Sequence, residues 1–421
     1  MTLIPMMAAV AAACLIAVAV PAQAAPKPVP PLVRAETHFA FDVFAQLRHH
    51  RGNLFFSPYS LYSAIGMAYL GARANTAAQI ASVLHLNRID SGSVGPRLQS
   101  WFGHDFAQAD MFGGQQPMDF HFHAANAVWT SAHDPIEPRY IAAVRQDFAG
   151  RVDRVDFGQP TDAAARINQW VKRATAGRLD HLIDPDTLSP RTRMILTNGV
   201  YFRARWSLEE IFDKNLTKSG PFYLAGSRSV MVPMMHQTFT LPIAQADGVK
   251  ILRLDYDGPA SMIIILPNHA SALDRIEAGL SAAELDRWLK MQNEISSNSP
   301  SVVVTMPRFA AHSQFRLANV LKSLGMPAAF SPGANFTGIA ADRNAPLVLD
   351  DVVQRAAITV DEKGTKAMAA TGMEAASASA SNPYGPPPII FNADHPFLYV
   401  IRADTTGAIL FVGREDDPAA G

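Results

Sequence analysis

The chain has 421 residues, with 36 Lys and Arg against 37 Asp and Glu, so its formal net charge is −1. This balance argues against a nucleic-acid partner, which would need a basic surplus or a basic stripe. Hydrophobic residues make up 48% and charged residues 17%, which is a globular composition, and the single cysteine excludes an internal disulfide.

Residues 1–24 predict a secretory signal peptide. Residues 6–20 are apolar throughout but too few to span a bilayer comfortably, and Ala22-Gln23-Ala24 forms an A-x-A cleavage pattern. An uncleaved membrane anchor is the alternative, because the segment lacks the usual basic residue at its start. We expect a secreted monomer, extracellular or periplasmic, without stable membrane insertion. Residues 25–34 are a proline-rich lead-in, which we expect to be extended from Pro26 to Pro31.

The rest of the chain predicts one large domain. Helical spacing of apolar residues predicts helices over 37–48, 61–70 and 162–175, the second begun by Ser57-Pro58, and Thr76 is expected to cap another short helix. Strands are predicted over 121–129 and 194–202, and within 251–266, 302–309, 347–360 and 397–411. No linker or repeat divides residues 35–416, so we expect a single α+β domain.

Catalytic and metal-binding motifs are missing from the sequence. There is no G-x-S-x-G elbow, Walker A loop, H-E-x-x-H or C-x-x-C, and a secreted hydrolase with a dispersed Ser-His-Asp triad has no positive support. His121 and His123 would share a strand face, but a histidine pair without a third ligand is more often plain surface. We therefore predict no enzyme activity, no metal and no cofactor.

One long segment lacks a secondary-structure pattern. Between Glu362 and Phe391 lie residues 363–390, a stretch of 28, with only three charges: Lys363, Lys366 and Glu374. A structureless segment of this length in a compact domain is usually functional. The function of the protein therefore depends on what this segment does.

Short blocks in a fixed order carry a family resemblance. The first four are NLFFSPYS at 53–60, INQWV at 167–171, LTNGVYF at 196–202 and PRF at 307–309; VDEKGT at 360–365, HPFL at 395–398 and LFVGR at 410–414 complete the set. The ordered set resembles the serpin family, in an inhibitory, exported and bacterial form. The resemblance implies a serpin fold of three β-sheets with eight or nine helices. It also implies an exposed reactive-centre loop at about residues 362–390.

The resemblance also implies a mechanism, the known serpin one. A target protease cuts the loop, which then inserts as a strand into the main sheet and holds the acyl-enzyme, so the protein is a suicide inhibitor of serine-type endopeptidases. Insertion requires small side chains on the face that enters the sheet, and alternate residues from Thr365 supply them. This alternation favours inhibition over the alternative, a non-inhibitory binding or carrier protein of the same fold. The hinge residues are Glu362, Gly364, Thr365, Ala367, Ala369 and Thr371.

Chain geometry locates the bond that the protease would cut. A mature chain of about 397 residues has a diameter near ~55 Å, which a strand crosses in about seventeen residues. Counting from Glu362 reaches Ala378, and the family spacing also gives Ala378–Ser379 as the reactive bond. A small residue there favours an elastase-like or subtilisin-like partner. Tyr384 is the alternative, for a chymotrypsin-like enzyme, but it would leave too long a tether.

Five further residues match positions that control sheet opening in the family. Ser57, Ser60 and Asn198 match the shutter, a polar cluster beneath the main sheet. Gln354 stands where many members have His, and its amide can still donate and accept. Trp206 matches the tryptophan of the breach, at the top of the sheet. Without the resemblance, Ser57 would be assigned to helix capping and the others to core packing or hydrogen bonding.

Overall fold

The computed structural model describes residues 31–86, 96, 120–207, 210–226, 228–292, 300–341, 346–365 and 386–420. In these ranges eight α-helices and three β-sheets form a mixed architecture, as expected. The helices are α1 (Pro31–Leu47), α2 (Pro58–Gly71), α3 (Ala74–Val83), α4 (Pro138–Phe148), α5 (Pro160–Ala174), α6 (Leu273–Gly279), α7 (Ala282–Met291) and α8 (Ala318–Leu324). None of these helices is long and apolar enough to cross a membrane.

Sixteen strands lie in the same ranges. They are β1 (Leu54–Phe56), β2 (Phe120–Ser131), β3 (Arg151–Val155), β4 (Met194–Arg205), β5 (Lys218–Tyr223), β6 (Ser229–Phe239), β7 (Ile243–Ala246), β8 (Val249–Asp255), β9 (Ala260–Pro267), β10 (Val302–Pro307), β11 (Phe309–Arg316), β12 (Leu349–Asp361), β13 (Gly364–Thr365), β14 (Ile389–Asn392), β15 (Phe397–Ala403) and β16 (Ile409–Glu415). The large sheet has the order β11-β12-β13-β4-β2-β3. A second six-stranded sheet has the order β1-β16-β15-β9-β8-β7, and a four-stranded sheet has the order β14-β10-β6-β5.

The large sheet is buried on its inner face and, where α5 covers it, on its outer face. On its inner face, Leu196 and Val200 of β4 belong to the main core, with α1, α2 and the second six-stranded sheet. On its outer face, Ile195 belongs to a smaller core beneath α5. Helix α5 lies close to β4, because a Cβ added to Gly199 would come within 2.7 Å of Val171 Cγ2. A strand that enters between β4 and β12 would therefore lie beneath α5, which packs on Ile195 and Val353 of these two strands.

Two sequence predictions about local structure are wrong. Helix α1 begins at Pro31, six residues before the predicted start, so the lead-in is not extended from Pro31 onward. The side chains of Leu32 and Val33 are buried, and their burial stabilises the additional helical turn. Thr76 does not cap a helix. It lies inside α3, where its hydroxyl accepts a hydrogen bond from the main-chain N–H of Asn335 at 3.0 Å. A tertiary contact, rather than a cap, accounts for this polar residue.

Candidate functional site

Two parallel strands of the large sheet, β4 and β12, bound the site. They pair in register from Met194 with Leu349 to Tyr201 with Ala357. Beyond these pairs, at the upper end of the sheet where β4 ends, β13 lies between them. There Thr365 pairs with both Val360 of β12 and Ala204 of β4. The sheet is thus closed along most of its length and separated at its upper end by two hinge residues.

A glycine makes the hinge turn possible. Gly364 has a φ of +138°, and a Cβ there would lie 2.2 Å from the carbonyl oxygen of Ala204. Only glycine fits this combination of backbone angle and close approach. The turn directs Thr365 into the sheet, where its side chain is fully buried and shares a hydrogen bond of 2.7 Å with the hydroxyl of Tyr256. Thr365 therefore faces the interior, as the alternation assumed.

Trp206 holds the upper end of the sheet together. Its ring is buried and stacks on Tyr256 with 4.7 Å between the ring centroids and an interplanar angle of 8°. Its indole N–H donates to the carbonyl of Asp361 at 3.0 Å, and its main-chain N–H donates to the carbonyl of Lys363 at 2.9 Å. Trp206 thus fixes both ends of the turn that precedes Thr365.

Glu362 anchors the start of the hinge. Its Oε1 accepts hydrogen bonds from Thr217 Oγ1 at 2.6 Å and from Arg308 Nε at 2.8 Å, and Arg308 Nη2 makes a second contact. Burial by itself would raise the pKa of Glu362, but the hydrogen bonds from Arg308 and Thr217 outweigh it and hold the pKa below its usual value. The carboxylate therefore stays charged and tied to the top of β10 and β11.

Lower in the sheet, three amide side chains form a row across adjacent strands. Gln354, Asn198 and Asn126 are register partners on β12, β4 and β2. Gln354 Nε2 donates to Asn198 Oδ1 at 2.5 Å, and Asn198 Nδ2 contacts both Asn126 Oδ1 and Ser60 Oγ. All four side chains are almost fully buried. The row links the strands that would separate to the helix α2 beneath them.

Gln354 also bonds to the start of α2. The main-chain N–H of Ser57 donates to Gln354 Oε1 at 3.0 Å, and Gln354 Nε2 donates to the carbonyl of Ser57 at 2.9 Å. The Ser57 hydroxyl caps α2 by accepting from the N–H of Ser60 at 3.2 Å. The amide at position 354 is therefore satisfied by three partners, so a glutamine supports this cluster.

The amide row opposes strand insertion. Neighbouring strands lie about 4.8 Å apart, so a strand entering between β4 and β12 would move them to about 10 Å. The hydrogen bond between Gln354 and Asn198 cannot span that distance. Opening the sheet must therefore break this bond together with the ladder from Met194 to Tyr201.

Sequence reasoning missed four residues of the site. Asn126 could have been found, because it is the single polar residue in the apolar run 124–129 of β2, and Arg308 lies in the PRF block. Thr217 and Tyr256 carry no local signal, since their partners lie more than a hundred positions away in the chain, at Glu362 and Thr365.

Several predicted site residues lie outside the described residues. These are the hinge residues Ala367, Ala369 and Thr371 and the predicted reactive bond Ala378–Ser379. His121 and His123 are described: their rings stack on the exposed face of β2 with centroids 6.1 Å apart. No group of three or more metal-ligating side chains occurs within the ranges that the structure describes.

Comparisons with known proteins identify the family. A sequence model of the family described as "Serpin (serine protease inhibitor)" matches residues 34–418. The chain belongs to the serpin family. This serpin is 35% identical over 393 residues to an uncharacterized serpin-like protein of Thermococcus kodakarensis, covering 93% of this chain and 87% of that protein.

Two further relatives indicate what members of this family do. The serpin is 32% identical over 397 residues to the leukocyte elastase inhibitor of Bos taurus, covering 92% of this chain and 99% of that protein. The crystal structure of human thyroxine-binding globulin with its ligand matches with a TM-score of 0.80 at 25% identity, covering 92% of this chain and 98% of that one. The serpin fold is therefore confirmed, and the matches include both an elastase inhibitor and a thyroxine-binding globulin.

Proposed function

We propose that this serpin is a secreted suicide inhibitor of serine-type endopeptidases, with elastase-like or subtilisin-like enzymes as its favoured partners. The observation that carries the proposal is the position of Thr365, buried between β4 and β12 at the upper end of the large sheet. Thr365 thus already stands between the two strands that the residues after it would have to separate on insertion. The similarity to the leukocyte elastase inhibitor supports the same function.

The proposed reaction uses the protease's own nucleophile. Its serine hydroxyl attacks the carbonyl carbon of Ala378, the bond to Ser379 breaks, and the hydroxyl proton passes through the protease's base to the departing amine. The acyl-enzyme ester then links the protease to Ala378. The released strand follows Thr365 into the sheet, with Ala367 and Ala369 facing the interior, and carries the protease away before water can hydrolyse the ester.

A second candidate is a carrier of small hydrophobic ligands that does not inhibit proteases. The structural match to human thyroxine-binding globulin favours it. The small alternate residues after Thr365 favour inhibition, because a carrier has no need to keep the inserted face small. The two candidates differ in whether a protease remains attached after it cuts the loop.

The deciding experiment is incubation with pancreatic elastase, subtilisin and chymotrypsin, followed by a denaturing gel. With elastase or subtilisin we expect a band at the summed mass of the protease and the inhibitor fragment that ends at Ala378, since the fragment after the broken bond is released on denaturation. The same protease inactivated beforehand with phenylmethylsulfonyl fluoride is the control and should give no such band. If every protease cuts the loop and stays active, the inhibitor proposal is wrong and the carrier is favoured.

Export is the second part of the proposal and rests on residues 1–24. Cleavage after Ala24 would give a mature protein that begins at Ala25. Expression in a bacterial host, followed by amino-terminal sequencing of the periplasmic and medium fractions, tests it. An intact amino terminus in the membrane fraction would favour the anchor.

A further inference from the structure

A cavity of about 410 Å³ lies at the edge of the large sheet, away from the hinge. Its volume falls in the range of about 300–1,000 Å³ that is usual for small-molecule sites. Strand β3 first pairs with β2 where Arg151 meets Ala127. Above that point the cavity borders β2 at Ala124–Asn126, with α4 and α5 forming the other walls.

One side of the cavity is positively charged. Arg145 of α4 and Arg151 of β3 line it, and Asp153 is the one carboxylate in the lining. Asp153 is already bonded by Arg151 Nε at 3.1 Å and by Arg166 at 3.2 Å. Arg145 makes no ion pair with any residue that the structure describes. The lining thus carries two guanidinium groups against one carboxylate, an excess of one positive charge, and Arg166 outside the lining also pairs with Asp153.

The α5 side of the cavity presents an aromatic ring. Trp170 of α5 lines it, and an edge-to-face contact with Trp129 at 5.5 Å between centroids fixes the orientation of its ring. Ala174, one turn further along α5, lies on the same side, and Ile141 of α4 adds apolar surface beside Arg145. An aromatic ring packs well against such a surface.

We propose that this cavity binds a small aromatic carboxylate, with its ring against Trp170 and its carboxylate between Arg145 and Arg151. Arginine recognises carboxylates through paired, charge-assisted hydrogen bonds, and Arg145 is free to make them. A bare oxyanion would leave the Trp170 wall uncovered, and an uncharged ring would leave the guanidinium groups unmatched. The bound ligand would touch α4, α5 and β3 together, and would therefore stabilise the folded protein.

The test is a titration of the full-length, uncleaved protein with benzoate, with inorganic phosphate and benzyl alcohol as separate arms. We expect benzoate to raise the melting temperature and to change the tryptophan emission in a saturable manner. Phosphate and benzyl alcohol should bind at least about tenfold more weakly, because each lacks one of the two contacts. No protease is involved, so the result is independent of the inhibitor proposal.

Two arginine variants on the same helix sharpen the test. Arg145→Ala should weaken benzoate binding about tenfold, whereas Arg139→Ala, an exposed residue of α4 outside the cavity, should bind as the wild type does. Trp170→Phe should abolish the emission change. Equal binding by the two arginine variants, equal responses to benzoate and phosphate, or no saturable response to benzoate would each overturn the proposal.

Discussion

At the scale of single residues, the hinge depends on two neighbours with opposite requirements. Gly364 needs to lack a side chain, because a Cβ would meet the main chain of β4. Thr365 needs a small side chain that can hydrogen-bond, because it is fully buried beside the hydroxyl of Tyr256. The pair converts an ordinary turn after β12 into the start of a new strand.

We predict that Thr365→Arg converts the inhibitor into a substrate. The variant would place an unpaired charge in a desolvated strand position, which costs several kcal/mol. Cleavage of the loop should continue, while the number of inhibitor molecules consumed per protease rises at least about tenfold. Thr365→Ser is the matched control, since it keeps the size and the hydroxyl, and it should inhibit normally. Full inhibition by the arginine variant would show that Thr365 does not lead the insertion.

A second prediction concerns Glu36, which is buried in α1. Its Oε2 accepts a hydrogen bond from the N–H of Ile409 at 3.1 Å, and burial raises its pKa from 4.5 to about 8 despite that bond. In the unfolded chain the group ionises near 4.5, so its contribution to stability is complete below that pH and is lost as the pH rises to about 8.

Glu36→Gln should therefore flatten the pH dependence of stability. The neutral amide keeps the acceptor for Ile409 and cannot ionise. Between pH 5 and pH 8 the wild type should lose up to about 4 kcal/mol of unfolding free energy that the variant does not lose. Urea unfolding at several pH values measures both slopes. Parallel slopes for the two proteins would mean that Glu36 does not titrate in this range.

At the scale of elements, the central feature is the contact between β4 and β12. Their ladder and the amide row of Gln354, Asn198 and Asn126 close the sheet below β13. Helix α5 covers the same region from outside, with Val171 against Gly199. These contacts together form the barrier to strand insertion, so weakening one should lower the barrier and the stability of the uncleaved form.

We predict that Gln354→Ala destabilises the uncleaved protein by about 2–4 kcal/mol. It removes the partner of Asn198 Oδ1 and the partner of the Ser57 N–H and leaves these two buried groups unsatisfied, while the Ser57 carbonyl keeps its hydrogen bond from the Leu61 N–H. Gln245→Ala, an exposed glutamine on β7, is the control and should change stability by less than about 0.5 kcal/mol. Urea unfolding measures both. Equal urea-unfolding midpoints for the two variants would show that the amide row does not contribute to the barrier.

At the scale of the whole molecule, the proposed mechanism requires the uncleaved protein, with its large sheet closed, to be kinetically trapped. Insertion of the loop would add a ladder of main-chain hydrogen bonds, each worth roughly 0.5–1.5 kcal/mol net, over about a dozen residues. The sum, on the order of 10 kcal/mol, is comparable to the stability of an ordinary domain. The tethered ends of an intact loop withhold this gain, so the uncut state persists behind a barrier.

Cutting the loop should therefore stabilise the protein. We predict that limited proteolysis between residues 376 and 381 raises the melting temperature by tens of degrees. Differential scanning calorimetry before and after cleavage measures the change, and the Thr365→Arg variant, cleaved in the same way, should not gain it. An equal or lower melting temperature for cleaved wild type would favour the non-inserting carrier.

The local patterns of the sequence were sufficient for most elements and for the family. The strands β2 and β4 and the helices α2 and α5 follow from apolar periodicity and from proline at the first helical position, because these signals act within a few residues. Ser57 as a helix cap follows in the same manner. The start of α1 at Pro31 does not follow from local patterns, since the burial of Leu32 and Val33 depends on surfaces distant in the chain.

Only the tertiary structure decided how the site is assembled. The amide row joins Asn126, Asn198 and Gln354 because three strands, distant in sequence, lie side by side in register. Tyr256 and Arg308 reach the hinge for the same reason, and no local pattern encodes such contacts. From the sequence alone, the alternating small residues after Thr365 predict a strand that could fit into a sheet. The sequence does not say which sheet such a strand would enter, which two strands it would separate or which hydrogen bonds it would have to break. These depend on packing, because the fold as a whole determines which strands are neighbours.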